Sequence, residues 1–332
     1  MVMEEYLLGE EAHVVSLAMA IWRIGYNLNL LNFFEGCTVN DISAGWNHSA
    51  FATGSGHLFM CGDGSFGQLG NGNNSSHCLP QEVLFFQSMH VEQVACGMRH
   101  SLVLVRGSSG YSVYGYGSGR HGQIGRQLRE HRKFVSTPEI IHGFEGSTVD
   151  FLYANGDHSA ALSANGKLYT WGRGFDGNLD CYQPRIVPSS LRFSQIALGW
   201  NHALMISDGQ VYMLGRMRSS YVQKSEQLPD SVMTAPSITN AEDLAMPSLQ
   251  RIACPVGEKV VVLAAGSEHS VLLTDKGSIL TWGWGEHGQL GLGNTADQIS
   301  PQNVGLVYKN SSSCGHLGVF CGSGFTFVAK LE

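Results

Sequence analysis

Five histidines are the residues whose type and spacing could most readily do chemistry. Each occupies the same place in a recurring pattern, glycine-x-x-histidine or a close variant; they are His48, His100, His158, His202 and His269. Imidazoles can bind metals or transfer protons near neutral pH. However, one histidine in each copy of a repeat occupies an equivalent position in a separate unit, so the five rings would not converge on one ion. The spacing therefore favours a repeated structural hydrogen bond and predicts no metal site.

Other patterns that could indicate catalysis or a cofactor are weak. The sequence has no glycine-x-serine-x-glycine pattern for a nucleophilic serine. A glycine-x-glycine-x-x-glycine pattern occurs at Gly62–Gly67 and at Gly283–Gly288, but without the βαβ context of a dinucleotide site. The 8 cysteines include no C-x-x-C pair, so we expect reduced thiols and a cytoplasmic and/or nuclear location. The sequence thus predicts neither an enzyme nor a cofactor.

A second set of residues stands between the glycines of glycine-rich loops and varies from one copy of the repeat to the next. These candidate partner-binding residues are Asp63, Arg120, His121, Arg173, Asp176, Trp284, Glu286 and His287. Loops carried on a rigid scaffold are common binding elements because they can vary without disturbing the core. The set therefore predicts contacts with a protein partner.

The elements that carry both sets belong to a repeat, whose clearest copy includes residues 264–293. Successive histidines of the five copies are 52, 58, 44 and 67 residues apart. Within each copy, short runs such as Leu168–Trp171 are rich in aromatic and β-branched residues, and glycine-containing turns bound them. Units of about fifty residues that each read as a four-stranded sheet are typical of β-propellers. The sequence therefore predicts an all-β propeller over residues 39–332.

The two ends and one internal segment depart from the repeat. Residues 1–38 fit only as a degenerate or replaced first half-repeat, whereas the chain ends on a half copy with Phe325 in the histidine position. Half copies at both ends predict that the terminal strands share one blade. Residues 216–259 contain four prolines and account for the longest step between histidines. We interpret them as a long, protease-sensitive surface loop, because proline disfavours helices and central strands.

The composition limits the classes of partner. The formal net charge is −7 and the pI about 6.0, so the chain lacks the basic surplus of a nucleic-acid binder. The apolar run at 14–34 is interrupted by Arg23 and three asparagines, which makes it a poor membrane span. The 42 glycines are spread through the chain, as many tight turns require. We therefore expect no direct nucleic-acid binding and no membrane span, and we leave the oligomeric state open.

The paired motifs Gly-x-x-His-Ser and Trp-Gly-x-Gly-x-x-Gly-Gln-Leu-Gly resemble the regulator of chromosome condensation repeat. The resemblance covers Val39 to Val328. It implies a seven-bladed β-propeller with about fifty residues in each blade. Because the sequence contains five copies and a terminal half copy, we expect one blade to be incomplete.

The resemblance implies three alternative functions, and the residues of this sequence do not support them equally. The absence of a catalytic constellation favours a protein-interaction propeller. The alternative is a guanine nucleotide exchange factor for a small GTPase, although no exchange-face residue can be transferred by a local motif. The third is a protein like the plant ultraviolet-B photoreceptor, which we disfavour. Its tryptophan position holds only Trp46 and Trp200, on non-adjacent copies, and its arginine position holds only Arg99.

Overall fold

The computed structural model describes residues 33–108, 110–129, 131–144, 146–175, 179–217, 249–305 and 316–331. These residues form five four-stranded antiparallel sheets and one two-stranded sheet, named blade 1 to blade 6 in chain order. The all-β propeller with an incomplete blade, predicted from the repeats, is confirmed. A short 3-10 helix, Leu84–Phe86, joins blade 1 to blade 2.

Strands follow one another across each blade. Blade 1 consists of β1 (Val39–Ala44), β2 (His48–Thr53), β3 (Leu58–Gly62) and β4 (His77–Glu82). Blade 2 consists of β5 (His90–Cys96), β6 (His100–Gly107), β7 (Gly110–Ser118) and β8 (Phe134–Ile141). Blade 3 consists of β9 (Val149–Asn155), β10 (His158–Ser163), β11 (Leu168–Gly172) and β12 (Cys181–Ile186). Blade 4 consists of β13 (Gln195–Leu198), β14 (His202–Ser207), β15 (Gln210–Gly215) and β16 (Gln250–Ile252). Blade 5 consists of β17 (Val260–Ala265), β18 (His269–Thr274), β19 (Ile279–Gly283) and β20 (Gln298–Asn303). The two-stranded blade 6 consists of β21 (His316–Cys321) and β22 (Thr326–Leu331).

One register is common to all five complete blades. The repeat histidine at the start of the second strand always pairs with the glycine at or near the end of the third strand. The pairs are His48 with Gly62, His100 with Gly117, His158 with Gly172, His202 with Gly215, and His269 with Gly283. The two motifs that define the repeat in sequence are therefore neighbours in every sheet.

Neighbouring blades meet along their first strands, and polar side chains tie these strands together. The Asp41 carboxylate accepts a hydrogen bond from the backbone N–H of Val94 at 2.6 Å. The Gln93 amide exchanges two bonds with the backbone of Leu152, at 3.2 and 2.7 Å. Because no sheet continues from blade to blade, these bonds satisfy inner-strand backbone groups that would otherwise be unpaired.

The apolar core lies between successive blades. Between blades 1 and 2, for example, Met60, Leu69, Phe86, Val103 and Tyr116 are buried in one cluster. Comparable clusters lie at the next four junctions. Each blade therefore stabilises its neighbours through side chains on both faces, as the hydrophobic effect requires of a sheet that is covered on two sides.

The long-loop prediction needs a correction at its carboxyl end. Strand β16 lies within 216–259 and pairs with β15, with Met213 opposite Gln250. The three-residue strand stands between Pro247 and Pro255, so it is too short for a recognisable alternation. Residues 218–248, and residues 1–32 of the atypical amino-terminal segment, lie outside the described residues. The described end of that segment includes Phe34, which is buried against Phe51 at a ring-centroid distance of 5.0 Å.

The antiparallel order gives the propeller two different ends. Connections from first to second strands, and from third to fourth strands, emerge at one end, which we call the loop face. The tight hairpins between second and third strands emerge at the opposite end. Seven of the eight predicted partner-binding residues belong to the connections between third and fourth strands, so the topology assigns these seven to the loop face; Asp176 lies outside the described residues.

Candidate functional site: the loop face and the histidines beneath it

The repeat histidines link each blade to the next by a buried hydrogen bond. The Nε2 atoms of His48, His100 and His202 each lie 2.9 Å from the Oγ of a serine in the following blade, Ser101, Ser159 and Ser270 respectively. His269 makes the equivalent contact with Thr326 Oγ1 at 3.1 Å. These four histidines therefore lie at blade junctions, and their structural role stays a prediction.

The serine continues the chain of hydrogen bonds. The Ser159 hydroxyl donates to the carbonyl of Gln123 at 2.7 Å, so its oxygen must accept from His100 Nε2–H. Gln123 belongs to the Gly-Gln-Ile-Gly loop of the blade that carries His100. The two motifs of the repeat are thus joined through a serine of the next blade, which explains why they recur together.

The junction between blades 3 and 4 is an exception with a clear cause. Blade 4 has Ala203 where other blades have the accepting hydroxyl, and blade 3 has Asn155 where they have glycine. His158 Nε2–H instead donates to the carbonyl of Trp200 at 2.7 Å. The imidazole also stacks on Phe175, with ring centroids 4.3 Å apart. The histidine keeps its junction role although both of its usual neighbours have changed.

Burial holds four of the five imidazoles neutral. Desolvation lowers the pKa of His100 and His202 from 6.5 to about 3, and that of His158 and His269 to about 4. His100 and His202 have no exposed surface. A neutral ring with one N–H suits a site that offers one acceptor and excludes water.

The first position of the Gly-x-x-His motif requires glycine for a steric reason. A Cβ on Gly97 would lie 2.1 Å from Cε1 of His100, so the ring occupies the place of any side chain there. Asn155, the one exception, accompanies the redirected histidine of blade 3.

Two of the predicted partner-binding residues come together on the loop face. His121 and Arg173, from blades 2 and 3, are joined by a bond of 3.1 Å from the Arg173 guanidinium to His121 Nε2. His121 Nδ1–H therefore donates to Asp180, 2.7 Å away. Arg173 also bonds Asp157 at 2.6 Å. We call His121, Asp157, Arg173 and Asp180 the charged cluster; sequence reasoning missed its two aspartates.

Asp63 is engaged within its own loop. Its carboxylate accepts hydrogen bonds from the Ser65 backbone and hydroxyl, each at 3.0 Å, from Gln68 at 3.1 Å and from Ser76 at 3.3 Å. Partial burial would raise the pKa of Asp63, but these bonds outweigh it and the pKa is lowered. Asp63 therefore shapes the loop of blade 1, and its contact with a partner stays a prediction.

The three candidates of blade 5 form a compact group. The Trp284 indole donates to the Glu286 carboxylate at 2.7 Å, and its ring lies edge-to-face with His287 at 4.7 Å. Glu286 and His287 are exposed. Arg120 is also exposed, in the blade 2 loop, whereas Asp176 lies outside the described residues.

An aromatic pair on the loop face joins two blades that are not adjacent in the chain. Trp46 and Trp200 belong to blades 1 and 4, yet their rings lie only 5.9 Å apart. The Trp46 backbone bonds Gly97, the Met98 backbone bonds Gly156, and a Cβ on Gly156 would lie 2.5 Å from Trp200. First-to-second-strand loops therefore meet near the propeller axis, where non-adjacent blades come close. Trp46 remains 45% exposed.

Within the described ranges, no group of three or more histidine, cysteine or acidic side chains has the arrangement of a metal site. Over the same residues, no helix is long and apolar enough to cross a bilayer.

The sheets, the histidine junctions and the loop face together define a β-propeller built from regulator of chromosome condensation repeats. The sequence profile of the RCC1-like domain family matches residues 27–328, and the chain belongs to that family.

Its relatives include proteins of different function. The chain is 29% identical over 284 residues to the ultraviolet-B receptor UVR8 of Arabidopsis thaliana, covering 82% of this chain and 60% of the receptor. It is 27% identical over 332 residues to the mouse secretion-regulating guanine nucleotide exchange factor, covering 92% of this chain and 68% of that protein. The chain thus spans about 60 to 68% of the length of these curated relatives.

Solved structures show the same fold. Human WBSCR16 superposes with a TM-score of 0.67 at 25% identity, covering 89% of this chain and 73% of that one. Prp20p of Saccharomyces cerevisiae superposes with a TM-score of 0.66 at 24% identity, covering 91% of this chain and 70% of that one. The likeness to Prp20p concerns the fold alone.

Proposed function

We propose that this protein is an interaction propeller that binds a protein partner through its loop face. One observation carries the proposal: the residues that vary between repeats are gathered at one end of the propeller, on loops fixed by bonds between blades. Exposed aromatic and charged side chains on fixed loops are the features that protein interfaces use as anchors.

The loop face is preorganised for such contacts. In addition to the charged cluster, Asn201 Nδ2 donates to Glu268 Oε1 at 2.9 Å and so joins the loops of blades 4 and 5. The Trp200 and Ser267 backbones bond the next loops at 2.8 and 3.0 Å. Loops that are already ordered lose little conformational entropy when a partner binds.

Affinity capture with matched variants tests the proposal. The loop-face variant Trp46→Ala/His287→Ala is compared with Leu84→Ala/Lys276→Ala, whose exposed side chains lie at the opposite end. We expect the first variant to lose proteins that the wild type and the control both retain, with unchanged melting temperatures. Equal loss from both variants would contradict a loop-face interface.

Guanine nucleotide exchange is the second candidate function, favoured by the relatives in mouse and Bos taurus that are called secretion-regulating guanine nucleotide exchange factors. An exchange factor acts by binding the nucleotide-free GTPase more tightly than the nucleotide-bound form. Such a function would use the loop face as the surface that holds the GTPase, without covalent chemistry by the propeller.

Release of fluorescent GDP from a panel of small GTPases separates the two candidates. Exchange activity predicts faster release with the wild type and a slower rate with Trp46→Ala/His287→Ala. If micromolar protein accelerates release from no GTPase while affinity capture still depends on the loop face, the interaction function stands without exchange activity.

A further inference from the structure

The loop that joins β7 to β8 carries an unusual density of positive charge. Between residues 119 and 133 stand five of the 20 lysines and arginines of the chain: Arg120, Arg126, Arg129, Arg132 and Lys133. The same stretch contains one acidic residue, Glu130, although the chain as a whole has a formal charge of −7. The overall acidity conceals this basic loop when only composition is considered.

The basic loop is anchored at both ends. The Gly119 backbone N–H donates to the Lys133 carbonyl at 3.0 Å, where β7 and β8 begin to pair. Arg126 forms an ion pair with Glu139 on β8. The Arg132 N–H donates to the Arg129 carbonyl at 2.8 Å, which closes a turn. The two ends of the loop are therefore fixed to each other and to β8.

Four of the five cationic side chains are exposed and have no acidic partner among the described residues, which do not include Glu130. Arg120, Arg129, Arg132 and Lys133 are exposed, and none of them makes an ion pair within the part of the chain that the structure describes. Like charges this close repel one another, and an acidic ligand would relieve that repulsion.

The surroundings of the basic loop limit the length of the ligand. On one side, Phe66 of the blade 1 loop contacts Phe134 at 6.5 Å, and Asp63 is in that same loop. On the other side, the loop is joined to blade 3 through His121 and Asp180. A long polyanion such as a nucleic acid would extend from the basic loop over these carboxylates, whereas a short acidic segment would not.

From this charge pattern we infer that the basic loop docks a short acidic segment of a protein partner. The inference rests on the proposed function, because it specifies the chemistry of a partner bound at the loop face. Opposite charges increase the association rate and fix the orientation of the complex, and salt weakens both effects.

A synthetic glutamate-rich peptide carrying a fluorophore is the probe, and the same peptide with glutamine in place of glutamate is its control. Binding is measured by fluorescence anisotropy for the wild type and for Arg129→Glu/Arg132→Glu/Lys133→Glu. The matched variant Lys167→Glu/Lys259→Glu/Lys276→Glu makes the same change in net charge with exposed lysines at the opposite end.

We expect the glutamate peptide to bind the wild type and the opposite-end variant alike, and the basic-loop variant at least about tenfold more weakly, which is about 1.4 kcal/mol. The difference should shrink as sodium chloride is raised, and the glutamine peptide should not bind. Equal weakening in both variants, or no binding by the wild type, would overturn the inference. Tighter, loop-dependent binding of oligothymidylate would overturn it in favour of nucleic acid.

Failure of this inference is distinguishable from failure of the proposed function. If affinity capture is lost in Trp46→Ala/His287→Ala but retained in the basic-loop variant, the loop face binds a partner without the acidic segment. If neither variant changes capture, the loop-face function itself is wrong.

Discussion

His100 and His121 are 21 residues apart in the chain and serve two different regions. His100 is fully buried at the junction of blades 2 and 3, where its ring bonds one serine. His121 lies on the loop face, with 25% of its side chain exposed between Asp180 and Arg173. The first residue recurs in every complete blade, whereas the charged cluster around the second occurs once. Residues that recur in every blade therefore assemble the propeller, whereas residues that occur in one blade alone are the ones available to a partner.

Lowering the pH should cause the largest loss of stability, and the loss should come from the buried histidines and not from the loop face. His100, His158, His202 and His269 have pKa values of about 3 or 4 in the folded state, against about 6.5 for a histidine in the unfolded chain, so the unfolded chain binds more protons between these limits. Stability is therefore complete above pH 6.5 and falls as the pH is lowered toward 4. Each histidine should cost about 2 kcal/mol at pH 5. Four such losses approach the ~5–15 kcal/mol stability of a typical domain.

Urea unfolding at a series of pH values measures this loss. His100→Asn should be less stable at pH 7.5 but should show a shallower decline toward pH 5, because one titrating group has been removed. His287→Gln, at an exposed position, should follow the wild type throughout. A wild-type stability that does not change between pH 7 and pH 5 would show that the junction histidines do not remain neutral by burial.

A second comparison uses two glycines of blade 5. Gly283 has φ +104°, and a Cβ there would lie 2.4 Å from the Glu268 carbonyl oxygen, whereas Gly288 has φ +75° and open space around it. Gly283→Val should cost about 3 kcal/mol or more, because it adds a clash to backbone strain, and Gly288→Val about 1–3 kcal/mol from strain alone. Thermal melting compares the two. Equal losses would indicate that backbone strain, and not the close approach beneath the histidine, determines the glycine.

Removing a single junction histidine should have a smaller effect. His100→Ala deletes the donor to Ser159 and leaves a cavity, at a cost of about 1–3 kcal/mol in the free energy of unfolding. Partner capture by the folded variant should be unchanged, since the ring lies beneath the loop face. A variant that melts normally but loses a partner would contradict the structural role.

The sequence could predict the junctions in part. The repeat predicted a structural role for the five histidines, and the serine after the histidine is in the same motif. The sequence did not reveal that this serine accepts a hydrogen bond from the histidine of the preceding blade, although the replacement of the serine by Ala203 was visible. The inner-strand ties were missed as well; their signal is a polar residue such as Gln93 in the middle of an apolar strand, which bonds Leu152 one blade later.

The loop face was less predictable because it depends on distances across blades. The sequence selected His121 and Arg173 as variable loop residues, but nothing local indicates that Asp180 lies 2.7 Å from His121. That contact depends on how many residues blade 3 places between β11 and β12. Likewise, the separation of Trp46 and Trp200 in the repeat order concealed their approach near the axis.

The smallest expected effect on stability concerns the charged cluster itself. Arg173 is 43% exposed and His121 25%, so their contact is partly screened by solvent, and exposed pairs contribute only about 0.2–1 kcal/mol. A double-mutant cycle of His121→Ala and Arg173→Ala, measured by urea unfolding, should therefore give a coupling below about 1 kcal/mol. The same variants should weaken partner capture by more than their loss of stability explains, if the cluster forms part of the interface. A coupling of several kcal/mol with normal capture would place the cluster with the buried histidines, as a device that holds blades 2 and 3 together.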